Sequence, residues 1–289
     1  MVSEERWTVM RLLQTSAQYL AEKGSGSPRL DAELLLVRVL QSSRIKLYTE
    51  HDKPVTDAER AALRELVRRR AAGEPVAYIL GEREFYGRPF KVDARVLVPR
   101  PETELIVDAA RRRFAKDQPW RIADFGVGSG ALALTLALEF PAAQVTATDV
   151  SGEALAVAKD NAARLGAANV RFAEGSWVAP VAGETFDWVV SNPPYIAEGD
   201  PEVEPGVKKF EPAGALFSGA TGLEAIDSLA AALPGVLAPG GVWICEFGAG
   251  QKEALAARLA AAGWRAEFEN DLAGLPRLFI ASRSGAGTN

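Results

Sequence analysis

From residue 121 onward, short β-rich apolar runs alternate with helical patterns, and this alternation restricts the fold of the 289-residue chain more than any other feature. The runs cover residues 122–125, 145–148, 170–173, 188–190 and 242–247. Parallel neighbours need a crossover long enough for a helix, so this order builds an α/β fold with a doubly wound, mostly parallel sheet. The clearest helix spans 153–165, with Ser151 as its N-cap and Gly166 as its stop. A last run, 278–281, follows Pro276 and adds an edge or antiparallel strand. Ligands of such sheets bind outside the carboxyl ends of the strands. Residues leaving those ends are therefore the candidates for chemistry.

Three exits carry distinctive residues. Asp124-Phe125-Gly126-Val127-Gly128-Ser129-Gly130 joins the first strand to a helix beginning near Ala131. Its glycines let backbone approach a ligand closely, and the helix start offers free N–H groups to a carboxylate or phosphate. Asp149 ends the next strand, where a carboxylate can accept from both hydroxyls of a ribose. Ser191-Asn192-Pro193-Pro194-Tyr195 leaves the fourth strand, and its two prolines stop the ladder. The Asn192 carboxamide and the Pro193 carbonyl are then held rigidly enough to grip a flat amide or amino group. Gly126, Gly128 and Ala131 also satisfy a dinucleotide fingerprint, so a nicotinamide dehydrogenase is the rival reading of the glycine loop alone. A hydride-transfer site usually wants an acid or base at the substrate carbonyl, whereas this edge presents a carboxamide, a carbonyl and an aromatic ring.

Charge and composition remove other classes. A formal net charge of −5 and a pI near 5.3 argue against the basic face that non-specific nucleic-acid binding needs. One cysteine, Cys245, and one histidine, His51, leave no intrachain disulfide and no transition-metal cluster. Cys245 reads as a buried small hydrophobe and His51 as an exposed polar residue. The start of the chain carries Glu4, Glu5 and Arg6 where a signal peptide needs an apolar core, and no run of 18 apolar residues occurs. A cytoplasmic protein without a membrane partner is expected.

Before the alternating half, the period is helical. Trp7, Met10, Leu13, Ala17 and Leu20 form one stripe, and Leu30, Leu34, Val37 and Leu40 a second after the break at 24–28. Thr56-Asp57-Ala58-Glu59 has capping-box spacing ahead of Leu63, Leu66 and Val67. Residues 1–75 are thus expected as a small helical bundle. Residues 76–98 form a β-hairpin linker, with strands at 84–86 and 90–92 around Gly87-Arg88-Pro89. The larger domain covers 99–283 and opens with Pro101 in the first turn of a helix. A disordered tail is expected at 284–289. Arg68 to Arg70 and Arg111 to Arg113 read as solvated helix ends, and Glu102 and Glu104 as charges favoured near a helix start.

The Asn192-Pro193-Pro194-Tyr195 exit with the glycine loop resembles the amino-directed S-adenosylmethionine-dependent methyltransferases. Residues 74–86 and Leu97-Val98-Pro99-Arg100-Pro101-Glu102-Thr103-Glu104 are similar to segments of the release-factor glutamine methyltransferases, as are Phe210-Glu211-Pro212, Ala215-Leu216 and Gly222-Leu223. The resemblance implies a Rossmann-like class I methyltransferase domain preceded by a helical substrate-recognition domain. It implies S-adenosyl-L-methionine as methyl donor, S-adenosyl-L-homocysteine as product, and no metal. Gly126, Val127, Gly128, Ser129 and Gly130 would wrap the methionine part, Val127 standing where the family more often has Thr or Cys. Asp149 would hold the ribose, and Trp177 would pack near the adenine. Asn192, Pro193, Pro194 and Tyr195 would hold the glutamine of a Gly-Gly-Gln motif in a class 1 peptide chain release factor, with Asn192 also touching the cofactor. Asn192, Pro193 and Tyr195 would carry the catalysis, Tyr195 by packing against the amide face. Glu102 and Glu104 would form part of the cover over the pocket. A monomer with no direct nucleic-acid contact is expected. The alternatives are an exocyclic-amine methyltransferase acting on adenine N6 of DNA or RNA, and a non-catalytic cofactor-binding module.

Overall fold

In the computed structural model, which describes residues 7–283, helices α1 (Val9–Glu22), α2 (Pro28–Leu40), α3 (Arg44–Thr49), α4 (Asp57–Ala71) and α5 (Val76–Leu80) come first. They belong to one of two compact units, Met1–Gly81 with Val203–Phe210; the other is Glu82–Glu202 with Glu211–Asn289. The break expected after residue 75 thus falls short of α5, which packs with the first unit. The tail expected at 284–289 lies outside the described residues.

Leu12, Leu13 and Leu20 of α1, Leu63 and Val67 of α4 and Leu47 of α3 fill the helical core. Thr8 caps α1 by accepting from the N–H of Arg11, and Thr56 and Glu59 form the expected capping box on α4. The stripe expected on α2 is corrected. Ala32, Leu35 and Leu36 are buried while Leu30 is 41% exposed. The helix turns this way because its buried side also carries two acids with partners: Asp31 meets Arg70 at 2.6 Å, and Glu33 meets Arg44 at 2.6 Å. Of the basic run Arg68 is solvated, pairing with Glu65 at the surface, while Arg69, which pairs with Glu74, and Arg70 are half-buried. Gly206 lies in this unit against Gly73, whose carbonyl oxygen would sit 2.5 Å from any Cβ added at Gly206. Two backbones touch there, and a side chain would part them.

The second unit begins with the hairpin β1 (Glu82–Phe85) and β2 (Arg88–Lys91), which turns at Tyr86-Gly87 rather than at 87–89. Both turn residues have positive φ, 51° and 71°, the geometry a two-residue hairpin requires. This register puts Phe85 and Phe90 on one face, buried edge to face with ring centroids 6.1 Å apart. Pairing those rings outweighs the poor fit of tyrosine to the turn.

A 3-10 turn at Pro101–Thr103 leads into α6 (Glu104–Arg113). Then follow β3 (Arg121–Phe125), α7 (Ala131–Glu139), β4 (Gln144–Asp149), α8 (Gly152–Leu165), β5 (Val170–Glu174), β6 (Phe186–Ser191) and α9 (Pro205–Phe210). The chain closes with α10 (Glu224–Ala232), β7 (Leu237–Glu246), α11 (Lys252–Ala261), β8 (Trp264–Asn270) and β9 (Pro276–Arg283). The sheet order is β5-β4-β3-β6-β7-β9-β8, parallel through β7, with β9 antiparallel to both its neighbours. The last run is therefore an inner strand, and the edge is β8. Its alternation of Arg265, Glu267 and Glu269 with apolar residues suits a strand wetted on one face, and it hides the strand from a search for apolar runs. Leu132, Leu134, Leu155 and Ile106 cover one face of the sheet; Ile226, Leu229, Leu255 and Leu259 cover the other. Arg111 to Arg113 are exposed, the solvated face expected, and they pair across the surface with Glu139, Glu267 and Glu269. Among the described residues no helix is long and apolar enough to cross a membrane.

Candidate active site

β3 pairs with β4 on one side and β6 on the other, so the crossovers diverge at its carboxyl end. Divergence there opens a crevice. A cavity of about 310 Å³ occupies it, walled by Gly126 and Gly128 after β3, Asp149 at the end of β4, Trp177 after β5, and Asn192, Pro193 and Pro194 after β6. A contiguous cavity of about 60 Å³ is lined by Asp124, Gly126 to Ser129, Arg100, Thr103 and Asn192. Three strand exits far apart in sequence thus share one space.

The glycine loop is held from behind. The N–H groups of Gly126 and Val127 both donate to the Thr148 carbonyl at 2.9 Å. Gly126, Gly128 and Gly130 have φ of 86°, 53° and 85°. The Asp149 carboxylate accepts from the N–H of Gly128 and the N–H of Ser151, each at 2.9 Å, which fixes it at the cavity wall with lone pairs to spare. Trp177 has a positive φ of 44°, a conformation bulky residues rarely hold; the Thr148 hydroxyl donates to its carbonyl. Gly175, just before it, packs so closely that a Cβ would lie 2.5 Å from Pro180.

Two expected site residues stand elsewhere. Gly130 lines neither cavity; it caps α7, and a Cβ on it would lie 2.9 Å from Leu134 and 3.3 Å from Ala158. Its work is to let two helices close. Tyr195 also lies outside both linings: its hydroxyl donates to Glu246 Oε1 at 2.9 Å, and its carbonyl accepts from Gln251 at 2.8 Å. Val127 and Ser129 line only the smaller cavity. Glu104 does not cover the cavities; its carboxylate accepts from the N–H of Tyr86 and anchors the hairpin turn.

The structure adds residues that strand exits alone do not reveal. Register pairs Ser191 with Cys245, which sets Asn192 beside Glu246 at the same sheet edge. Glu246 is buried, and its Oε2 accepts from the Thr103 hydroxyl at 2.6 Å. Thr103 Oγ1 in turn accepts from Asn192 Nδ2 at 2.9 Å. Burial pushes the Glu246 carboxyl up, against the Thr103 and Tyr195 hydrogen bonds, which pull it down. Burial likewise pushes the Tyr195 phenol up, with Glu246 adding to it. Glu211 clamps the segment before α6, accepting from the N–H of Val98 at 3.0 Å and from Arg100 at 2.7 Å. Nothing in the spacing of Thr103 or Glu246 marks them. Asp124 carried a signal, an acid at the mouth of a glycine loop. It is buried, its Oδ2 has no hydrogen-bond partner, and burial pushes its carboxyl up to about 7, the Ala133 N–H opposing.

Cys245 is buried as expected, its thiol pushed up by burial. Among the described residues no group of three His, Cys, Asp or Glu side chains is placed to hold a metal ion.

A family model described as PrmC N-terminal domain matches residues 11–81, and one described as Methyltransferase small domain matches 103–215. The release factor glutamine methyltransferase of Bordetella pertussis is 46% identical over 255 residues, covering 88% of this chain and 94% of that protein. The protein of the same name from Vibrio cholerae is 42% identical over 94% of this chain and 96% of its own length. Among solved structures, a methyltransferase from Pyrococcus furiosus aligns with a TM-score of 0.51 at 21% identity, covering 68% of this chain and 89% of its own; it shares the fold.

Proposed function

The chain belongs to the release factor glutamine methyltransferase family, and on that premise we propose which of its residues methylate the side-chain amide N5 of the glutamine in the Gly-Gly-Gln motif of class 1 peptide chain release factors. The observation that carries the reading is the shared cavity: Gly126, Gly128, Asp149 and Trp177 wall the same space as Asn192, Pro193 and Pro194. A nucleoside-binding edge and an amide grip therefore face each other.

The residues present fit S-adenosyl-L-methionine. Glycines at positive φ leave a cradle open to a close-lying chain, and Asp149 keeps acceptor capacity for a ribose diol. Asp124, whose buried Oδ2 has no hydrogen-bond partner, belongs to the lining of the smaller cavity, where a cationic or N–H donor would complete it. Trp177 offers a flat apolar surface to the adenine. When bound, the cofactor supplies an electrophilic methyl group on a sulfonium and leaves as S-adenosyl-L-homocysteine.

The chain's task is then alignment. An amide nitrogen is a poor nucleophile because its lone pair is delocalised into the carbonyl. Asn192 Oδ1 and the Pro193 carbonyl accept its two N–H bonds, turning the nitrogen toward the methyl donor and favouring the geometry in which delocalisation is relieved. Positive charge developing on nitrogen strengthens both hydrogen bonds, so the grip is tighter in the transition state than in the ground state, and the methylated nitrogen then gives up one of its two protons to solvent. Tyr195 braces this exit through Glu246 and Gln251 rather than lining the cavity. The helices of the first unit, matched by the PrmC N-terminal model, serve release-factor recognition.

The test is methyl transfer from labelled S-adenosylmethionine to a purified unmethylated release factor, beside its Gln-to-Ala motif variant and a duplex DNA control. Label on the wild-type factor alone is the expected result; label on DNA with none on protein overturns the substrate.

A further inference from the structure

A carboxamide has nearly the same shape when turned end for end, but the turn exchanges an acceptor for a donor. For the proposed grip only one orientation works. With Oδ1 toward the acceptor, Asn192 takes an N–H from the glutamine amide; with Nδ2 there, two donors collide. Neither the strand nor the two prolines settles this choice, because they fix the backbone and leave the terminal torsion free.

The hydrogen-bond chain behind Asn192 does settle it. Glu246 sits 2% exposed at the end of β7, and its two oxygens face Tyr195 at 2.9 Å and Thr103 at 2.6 Å. Oε1 accepts the Tyr195 hydroxyl and Oε2 the Thr103 hydroxyl. The one hydroxyl proton of Thr103 is therefore spent on Glu246, and only lone pairs of Oγ1 remain. An oxygen with nothing left to donate, 2.9 Å from the end of the Asn192 side chain, selects the NH2 end. We propose that Thr103, oriented by the buried Glu246, is a positioning residue that fixes the polarity of the Asn192 carboxamide, so that Oδ1 is the end the acceptor meets. The residues converge from three elements: Thr103 from the turn before α6, Asn192 and Tyr195 from the exit of β6, and Glu246 from the end of β7.

The consequence for catalysis rests on the glutamine-methyltransferase reading; the polarity itself does not. Two measurements keep them apart. The first is NMR of the Asn192 side-chain NH2 pair, assigned by its absence in Asn192→Asp. Protection from solvent exchange is expected in the wild type and in Thr103→Ser, which keeps the hydroxyl, and its loss in Thr103→Val, which keeps the shape. Unchanged protection in Thr103→Val overturns the proposal whatever the substrate. The second is steady-state transfer to the release factor, with binding of S-adenosylhomocysteine measured alongside. For Thr103→Val, kcat falls on the order of tenfold to a hundredfold, the scale for losing one preorganised polar contact, with cofactor-product affinity unchanged. Thr103→Ser restores most of it. Equal loss in both variants, or full turnover in Thr103→Val, overturns the catalytic role. Wild-type enzyme that labels no release factor overturns the substrate assignment and leaves the NMR result to decide the polarity.

Discussion

Asn192 and Asp124 show how much a single position depends on its surroundings. Removing the Asn192 carboxamide deletes one of the two acceptors proposed to hold the substrate amide, so Asn192→Ala is expected to lower turnover by roughly two orders of magnitude, about 3 kcal/mol, with the unfolding midpoint nearly unchanged. Full turnover in a single-turnover assay would remove Asn192 from the mechanism. Asp124 makes a prediction with a definite pH sign. Its folded carboxyl is pushed to about 7 against an ordinary value of 3.8. Between those values the folded chain holds a proton that the unfolded chain has released, so stability falls as pH rises through the window. Below it both states are neutral and no cost exists; above it the cost is complete, at most about 4 kcal/mol. Asp124→Asn cannot ionise. Its stability relative to wild type, read from denaturant midpoints, is expected to grow from pH 4 to pH 7 and then level; a difference constant across pH sinks the idea.

Helices and loops carry the next level of constraint, and here the glycine loop divides its labour. Gly126 and Gly128 wall the larger cavity, while Gly130 turns the chain into α7 and lets Leu134 and Ala158 close over it. Sequence spacing treats the three alike, because it registers backbone freedom and not what a side chain would strike. Gly130→Ala combines a positive φ with a Cβ 2.9 Å from Leu134, so it is expected to destabilise by about 1–3 kcal/mol. Thermal melts of the variant measure it; a melting temperature within error of wild type would refute the packing role. Elements with strong local signals were legible: the Thr56 capping box, the Ser151 cap and the Gly166 stop all stand where their residues place them. Those that depend on a partner were not. The face α2 buries follows Arg70 and Arg44, and β8 exists because β9 offers it an edge.

For the whole molecule, binding and stability are linked. A ligand that binds only the folded second unit at a hundred times its Kd stabilises by about 2.7 kcal/mol. S-adenosylhomocysteine is therefore expected to raise the melting temperature of the wild type, and Asp149→Ala, which also frees the N–H groups of Gly128 and Ser151, to abolish most of that rise. An equal shift in both would exclude Asp149 from the binding wall.

The sequence by itself determined the doubly wound sheet, the three strand exits and the residue types at them. Alternation of apolar runs with helical periods leaves parallel crossovers as the only short connection, and glycine and proline act on their own backbone wherever they stand. Only the tertiary structure decided the rest. Glu246 meets Asn192 because Ser191 pairs with Cys245, and Thr103 reaches both from the turn before α6, 143 residues from Glu246 along the chain. Gly130 and Tyr195 leave the cavity for their neighbours' sake. Register and long-range hydrogen bonds are relations between distant residues, and no local pattern records them.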